Sequence, residues 1–112
     1  IRNNLEKITT TDASGREISR YVDKATLATL GDIPAPYKGF MSDLAEAGQL
    51  PKNWQSIPQI ANLVRENLIN KAGGITPKDL ANLKVRIAEA AAKLAYEGVP
   101  GFSTKDLTPT LS

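Results

Sequence analysis

At 112 residues, with 41% hydrophobic and 23% charged side chains, the chain has the size and composition of one globular domain rather than of a disordered segment. Fourteen Lys and Arg against twelve Asp and Glu leave a net charge of only +2, so composition demands neither nucleic acid nor an anionic membrane as partner. Histidine and cysteine are both absent, which excludes Ser–His and Cys–His triads, thiol redox chemistry, Cys/His zinc sites and disulfide support.

Aromatic residues make up only 5% of the chain, whereas alanine and leucine are plentiful. That mixture favours helices packed closely through small residues and argues against a β-sandwich. No apolar stretch approaches the roughly 20 residues needed to span a bilayer. The start shows no signal-peptide pattern, and an opening Ile1 reads as a processed chain or an excised domain.

Residues 1–13 are polar and threonine-rich, ending in Thr9-Thr10-Thr11-Asp12, and read as a flexible lead-in. A first helix is expected from Ser14, where Ser14 and Glu17 match a capping box in which each side chain satisfies a free backbone N–H. Ile18, Tyr21, Val22 and Ala25 then recur at helical spacing. Arg16, Arg20 and Lys24 line the other side, and Gly31 supplies a stop. Leu27 and Leu30 lie off the stripe, so the helix either breaks near Thr26 or carries these leucines toward another contact.

Ile33-Pro34-Ala35-Pro36 is a stiff connector, since each proline fixes its own φ and restricts the residue before it. A second helix is expected over 36–47, with Tyr37, Phe40, Met41, Leu44 and Ala47 inward and Lys38, Ser42, Asp43 and Glu46 outward. A loop carrying Trp54 follows. Ser56 with Gln59 suggests the cap of a third helix that ends at Gly73-Gly74. Thr76, Pro77 and Asp79 then give the clearest helix start in the chain. Leu80, Leu83, Ile87, Ala91 and Leu94 form the inner stripe of this fourth helix, and Ala88, Ala92 and Ala95 extend the apolar surface round a second side. A helix apolar over so much of its circumference is expected to touch neighbours on two sides. Residues 99–112, with Phe102, Leu107 and Leu111, form a C-terminal tail. The expected architecture is all-α: a four-helix domain over 14–98, an irregular bundle with a lead-in and a tail.

Candidate functional residues are few, and no catalytic, cofactor-binding or metal-binding set emerges. Asp43 and Glu46, three residues apart on a helix, have the spacing of an acid–base or cation-binding pair, but no further ligand accompanies them; Tyr37 and Lys38 are the other groups an enzyme could use there. The glycine pair before Thr76-Pro77-Lys78-Asp79 places backbone N–H groups where an anion could bind, without the spacing of either glycine-rich nucleotide motif. Helices three and four can be aligned with a helix-turn-helix, whose reading side would carry Lys78, Asn82 and Arg86, although Glu89 and Glu97 share that face and repel phosphate. The reading that best fits is a non-enzymatic helical protein–protein interaction module, part of a larger protein such as a bacterial secreted or regulatory one. Its candidate contacts are the basic row Arg16, Arg20 and Lys24, with Leu27, Leu30 and Trp54 as surplus apolar surface around a groove between the first two helices; Phe102 is a further apolar candidate. For Trp54 the competing role is a core lid, since a lone tryptophan in a small domain more often folds inward. The alternative function is nucleic-acid binding through the fourth helix or the basic face of the first.

Overall fold

The computed structural model describes residues 4–12, 14–71 and 73–98. The chain begins with a β-hairpin, strands β1 (Leu5–Thr11) and β2 (Glu17–Asp23), and continues through four helices: α1 (Lys24–Leu30), α2 (Ala35–Glu46), α3 (Pro58–Val64) and α4 (Pro77–Tyr96). The all-α expectation is therefore corrected. Residues 5–11 of the segment read as a flexible lead-in form β1, and the segment read as the first helix divides into β2 over 17–23 and α1 over 24–30. The described residues form an α/β arrangement in which helices pack together and a two-stranded antiparallel sheet lies on one of them.

The hairpin follows from features that the helical reading passed over. Asp12 Oδ1 accepts from the Ser14 N–H and hydroxyl and from the Arg16 N–H, at 2.9, 2.7 and 2.9 Å. Those three donors hold the Asp12 carboxyl below its ordinary value of 3.8, the Ser14 side chain being the largest cause. Gly15 takes φ +89°, a conformation open to glycine at little steric cost. Ser14 thus serves a turn and caps no helix. In register, Thr10 faces Ile18 and Ile8 faces Arg20. Period two puts Ile8 and Thr10 on one face with Ile18, Arg20 and Val22, and the β-branched run Ile8–Thr11 suits a pleated surface.

That face lies on α2. Thr10 Oγ1 donates to the Pro36 carbonyl at 2.9 Å and accepts from the Gly39 N–H at 3.0 Å. A Cβ on Gly39 would stand 2.7 Å from Thr10 Cγ2, so glycine is what permits the approach. Ser42, one turn beyond Gly39, is fully buried where an outward position was expected. The cause is a second covered side on α2: Met41 and Leu44 enter the apolar core while Gly39 meets the hairpin.

α1 starts only at Lys24, where the Asp23 side chain accepts from the Thr26 N–H at 3.1 Å. Restarting the helix there resets its phase, which is why Leu27 and Leu30 fell off the earlier stripe; both pack in or against the core. A 3₁₀ turn, Trp54–Ser56, leads into α3, and Ser56 makes no cap, the capping position being Ile57. α3 runs on into a π turn, Arg65–Ile69, closed by the Asn70 N–H to the Arg65 carbonyl at 2.8 Å. α4 has the capping box expected of Thr76 and Asp79. It contributes Leu83, Ile87, Ala91 and Leu94 to the buried set and packs mainly against α3.

Candidate protein-docking surface

The structure disperses the contact set expected from sequence. Leu30 is completely buried and Trp54 is 4% exposed, both inside the core. Trp54 Nε1 donates to the Thr29 carbonyl at 2.9 Å, and Gln55 Nε2 donates to the same oxygen at 2.7 Å. The indole therefore locks the end of α1 to the loop before α3 and fulfils the lid role. Leu27 is half-buried against the same core. Trp54 borders a small pocket of about 110 Å³ with Asp32, Gln55 and Arg65, which neither Leu27 nor Leu30 lines, so the three do not rim one groove.

The basic row is also broken. On a helix, Arg16, Arg20 and Lys24 would stack at successive turns. On an extended strand, four residues separate Arg16 from Arg20 by roughly 13 Å, and Lys24 already belongs to α1. Arg16 and Lys24 are exposed, whereas Arg20 is half-buried and makes two hydrogen bonds to Asp43, at 2.7 and 3.2 Å. The Asp43 carboxylate raises the Arg20 guanidinium above its ordinary value, mainly through that side-chain bond. One interaction thus engages the central cation of the row and one of the two carboxylates considered for chemistry; Glu46 remains exposed. Among the described residues, no group of three or more Asp or Glu side chains could hold a metal ion.

The start of α4 already carries a negative charge. The Asp79 carboxylate accepts from the Thr76 N–H at 2.9 Å, the largest cause of its lowered pKa, and lies 3.9 Å from Lys71. An external anion would meet that carboxylate. Lys78, Asn82 and Arg86 are exposed along α4, but residues 70–76 separate the π turn from α4, a longer connection than the 3–4-residue turn of a helix-turn-helix. Phe102 lies outside the described residues.

What the structure assembles instead is an apolar groove on the outer face of α4. At 100° per residue, Ala81, Val85, Ala88 and Ala92 recur on a side about 150° round the helix from Leu83, Ile87 and Leu94. They line a groove of about 620 Å³ together with Lys84, Glu89 and Gln49, the last contributed by the loop after α2. Gln49 Oε1 is buried without a hydrogen-bond partner. Val85 is 56% exposed, and Tyr96, one turn beyond Ala92, is 69% exposed. The sequence signal for this face was present: Ala88 and Ala92 stood out as a second apolar side. A covering neighbour was expected there, and among the described residues Gln49 alone reaches the groove from another element. Ala81 and Val85, which complete the spacing, were missed because they fall outside both the core stripe and the alanine series at 88, 92 and 95.

Comparison of the chain with family models, curated proteins and solved structures finds no match. None of the helices is long and apolar enough, among the described residues, to cross a membrane.

Proposed function

We propose that this chain is a non-enzymatic protein–protein interaction module that receives a partner helix along the outer face of α4. The observation that carries the reading is the apolar groove centred on Val85 and Ala88. An exposed apolar surface with polar rims costs free energy in water and marks a contact site when it is continuous. Alanines at three of its four apolar positions let a second helix approach closely, and Val85 offers a side chain to pack against. This is the geometry of helix-in-groove recognition. Histidine and cysteine, the commonest acid–base and nucleophilic side chains, are absent, and Arg20 engages Asp43; both favour a binding role over a catalytic one.

The test is site-specific photo-crosslinking in an extract of the source organism. A photoreactive residue at Val85 is expected to give a discrete adduct that one at exposed Asn62 on α3 does not, and that Ala88→Glu abolishes with helix content unchanged. Equal labelling from both positions, or none from Val85, removes the reading.

A further inference from the structure

The groove carries both halves of its own complement, and we infer that its occupant is α4 of a second copy of this chain, packed in parallel about a two-fold axis that runs along the helix pair. The inference rests on the docking reading of α4 and names its partner. Ala81, Val85, Ala88 and Ala92 have the alternating four- and three-residue spacing of a heptad seam, with Val85 and Ala92 at a and Ala81 and Ala88 at d. Lys84 then falls at g and Glu89 at e, on opposite flanks of the same seam. Five residues apart, they do not pair with each other within one helix, where partners stand three or four apart; Lys84 has no acidic residue at those spacings, whereas Glu89 has Arg86 and Lys93. Lys84 and Glu89 are both exposed, and neither belongs to the ion pairs formed among the described residues, Arg20–Asp43 and Lys71–Asp79.

A parallel two-fold pair solves this arrangement. In parallel helices, the g position of one chain faces the following e position of the other, so Lys84 meets Glu89 of the second copy, twice by symmetry. In an antiparallel pair each flank faces its own copy, and Lys84 would stand beside Lys84. Charge therefore selects the second copy as occupant and parallel as its orientation. Small residues at three seam positions bring the axes toward the short end of the usual 8–10 Å separation. The seam from Ala81 to Ala92 is only about 17 Å long at 1.5 Å per residue. It covers much less than the roughly 800 Å² per partner of a standard stable interface, so association is weak and concentration-dependent.

Sedimentation equilibrium of the 112-residue chain tests this from about 10 μM to about 1 mM, a range that spans weak association. Reversible dimerisation is expected. Lys84→Glu or Glu89→Lys alone should weaken it about tenfold, and the two together should restore it to within about threefold, as a coupled charge pair requires. Because the chain has no cysteine, Val85→Cys introduces a single thiol, and parallel packing should yield a disulfide-linked dimer under mild oxidation. A double reversal no better than either single one, or a Val85→Cys chain that stays unlinked while dimerising, overturns the parallel pairing. A chain monomeric throughout removes the second copy as occupant, and the photo-crosslinker at Val85 then separates the remaining outcomes. An adduct with a different protein keeps the docking reading and discards self-association. A crosslink into residues 99–112 of the same chain gives the groove to that segment, and no adduct discards both readings.

Discussion

The hairpin and the helical core share α2, and they hold it by different physics. On one side, Met41 and Leu44 enter a core with Leu30, Trp54, Ile60 and Ile87, where many apolar contacts act together. On the other, the hairpin is fastened by specific groups at specific atoms: the Thr10 hydroxyl between the Pro36 carbonyl and the Gly39 N–H, and the Arg20 fork on Asp43. A core of the first kind depends on volume and tolerates exchange of one apolar shape for another. An attachment of the second kind depends on chemical identity, because a buried donor or acceptor left alone costs more than the bond contributed. The two regions should therefore respond oppositely to conservative and to truncating substitutions.

The largest expected effect lies in the core. Ile87 is completely buried in the middle of α4, and Ile87→Ala should destabilise the chain by about 2–5 kcal/mol in urea unfolding. Ile87→Val, which preserves most of the volume, should cost only about 0.5–1.5 kcal/mol. If the two variants lost the same amount, volume would not be what holds this region.

The next effect inverts that logic at the hairpin. Thr10 is 1% exposed, and Thr10→Val keeps its shape while deleting both hydrogen bonds. The Pro36 carbonyl and the Gly39 N–H would be left without the hydroxyl, and about 1–3 kcal/mol should be lost. Thr10→Ser keeps the hydroxyl and drops only the methyl that would crowd a Cβ at Gly39, so it should be the milder change. Hydrogen exchange at the Gly39 amide would locate the effect: fast in the valine variant, slow in the serine one. A serine variant less stable than the valine variant would show that packing, not identity, fixes the hairpin.

The same contrast explains what could be read from the sequence. Helical core elements were legible because their signals are local and redundant. Thr76, Pro77 and Asp79 mark the start of α4, and the spacing of Leu83, Ile87, Ala91 and Leu94 repeats its phase over several turns. The second helix was placed to within a residue at each end by Pro34–Pro36 and Gly48. The hairpin was not legible, because Ser14 and Glu17 satisfy a capping box as well as a turn, and Ile18, Tyr21, Val22 and Ala25 satisfy a helical spacing as well as part of a strand. What decides between them is the Asp12 and Gly15 turn, together with a partner strand in the threonine run before it. Reading that stretch as helix also manufactured the basic row and exposed the wrong leucines. The open apolar face of α4 was half visible, as alanines without a stated partner. Its remaining residues became apparent only when the fold showed which side of α4 the other described elements leave open.

The smallest effect is the most direct probe of how the hairpin is held. The Arg20 and Asp43 side chains are 33% and 57% exposed, so water and salt screen the pair. A double-mutant cycle of Arg20→Gln and Asp43→Asn should give a coupling of only about 0.2–1 kcal/mol, declining at high salt. The bidentate geometry orients β2 on α2, but in half-wet surroundings it adds little to stability. The hydroxyl of Thr10, a neutral group, should thus outweigh an ion pair of ideal geometry, because Thr10 is buried and the ion pair is not. A coupling above about 2 kcal/mol that persisted in salt would reverse this ranking. The hairpin would then be held by charge, and Thr10 would serve only to space β1 against Gly39.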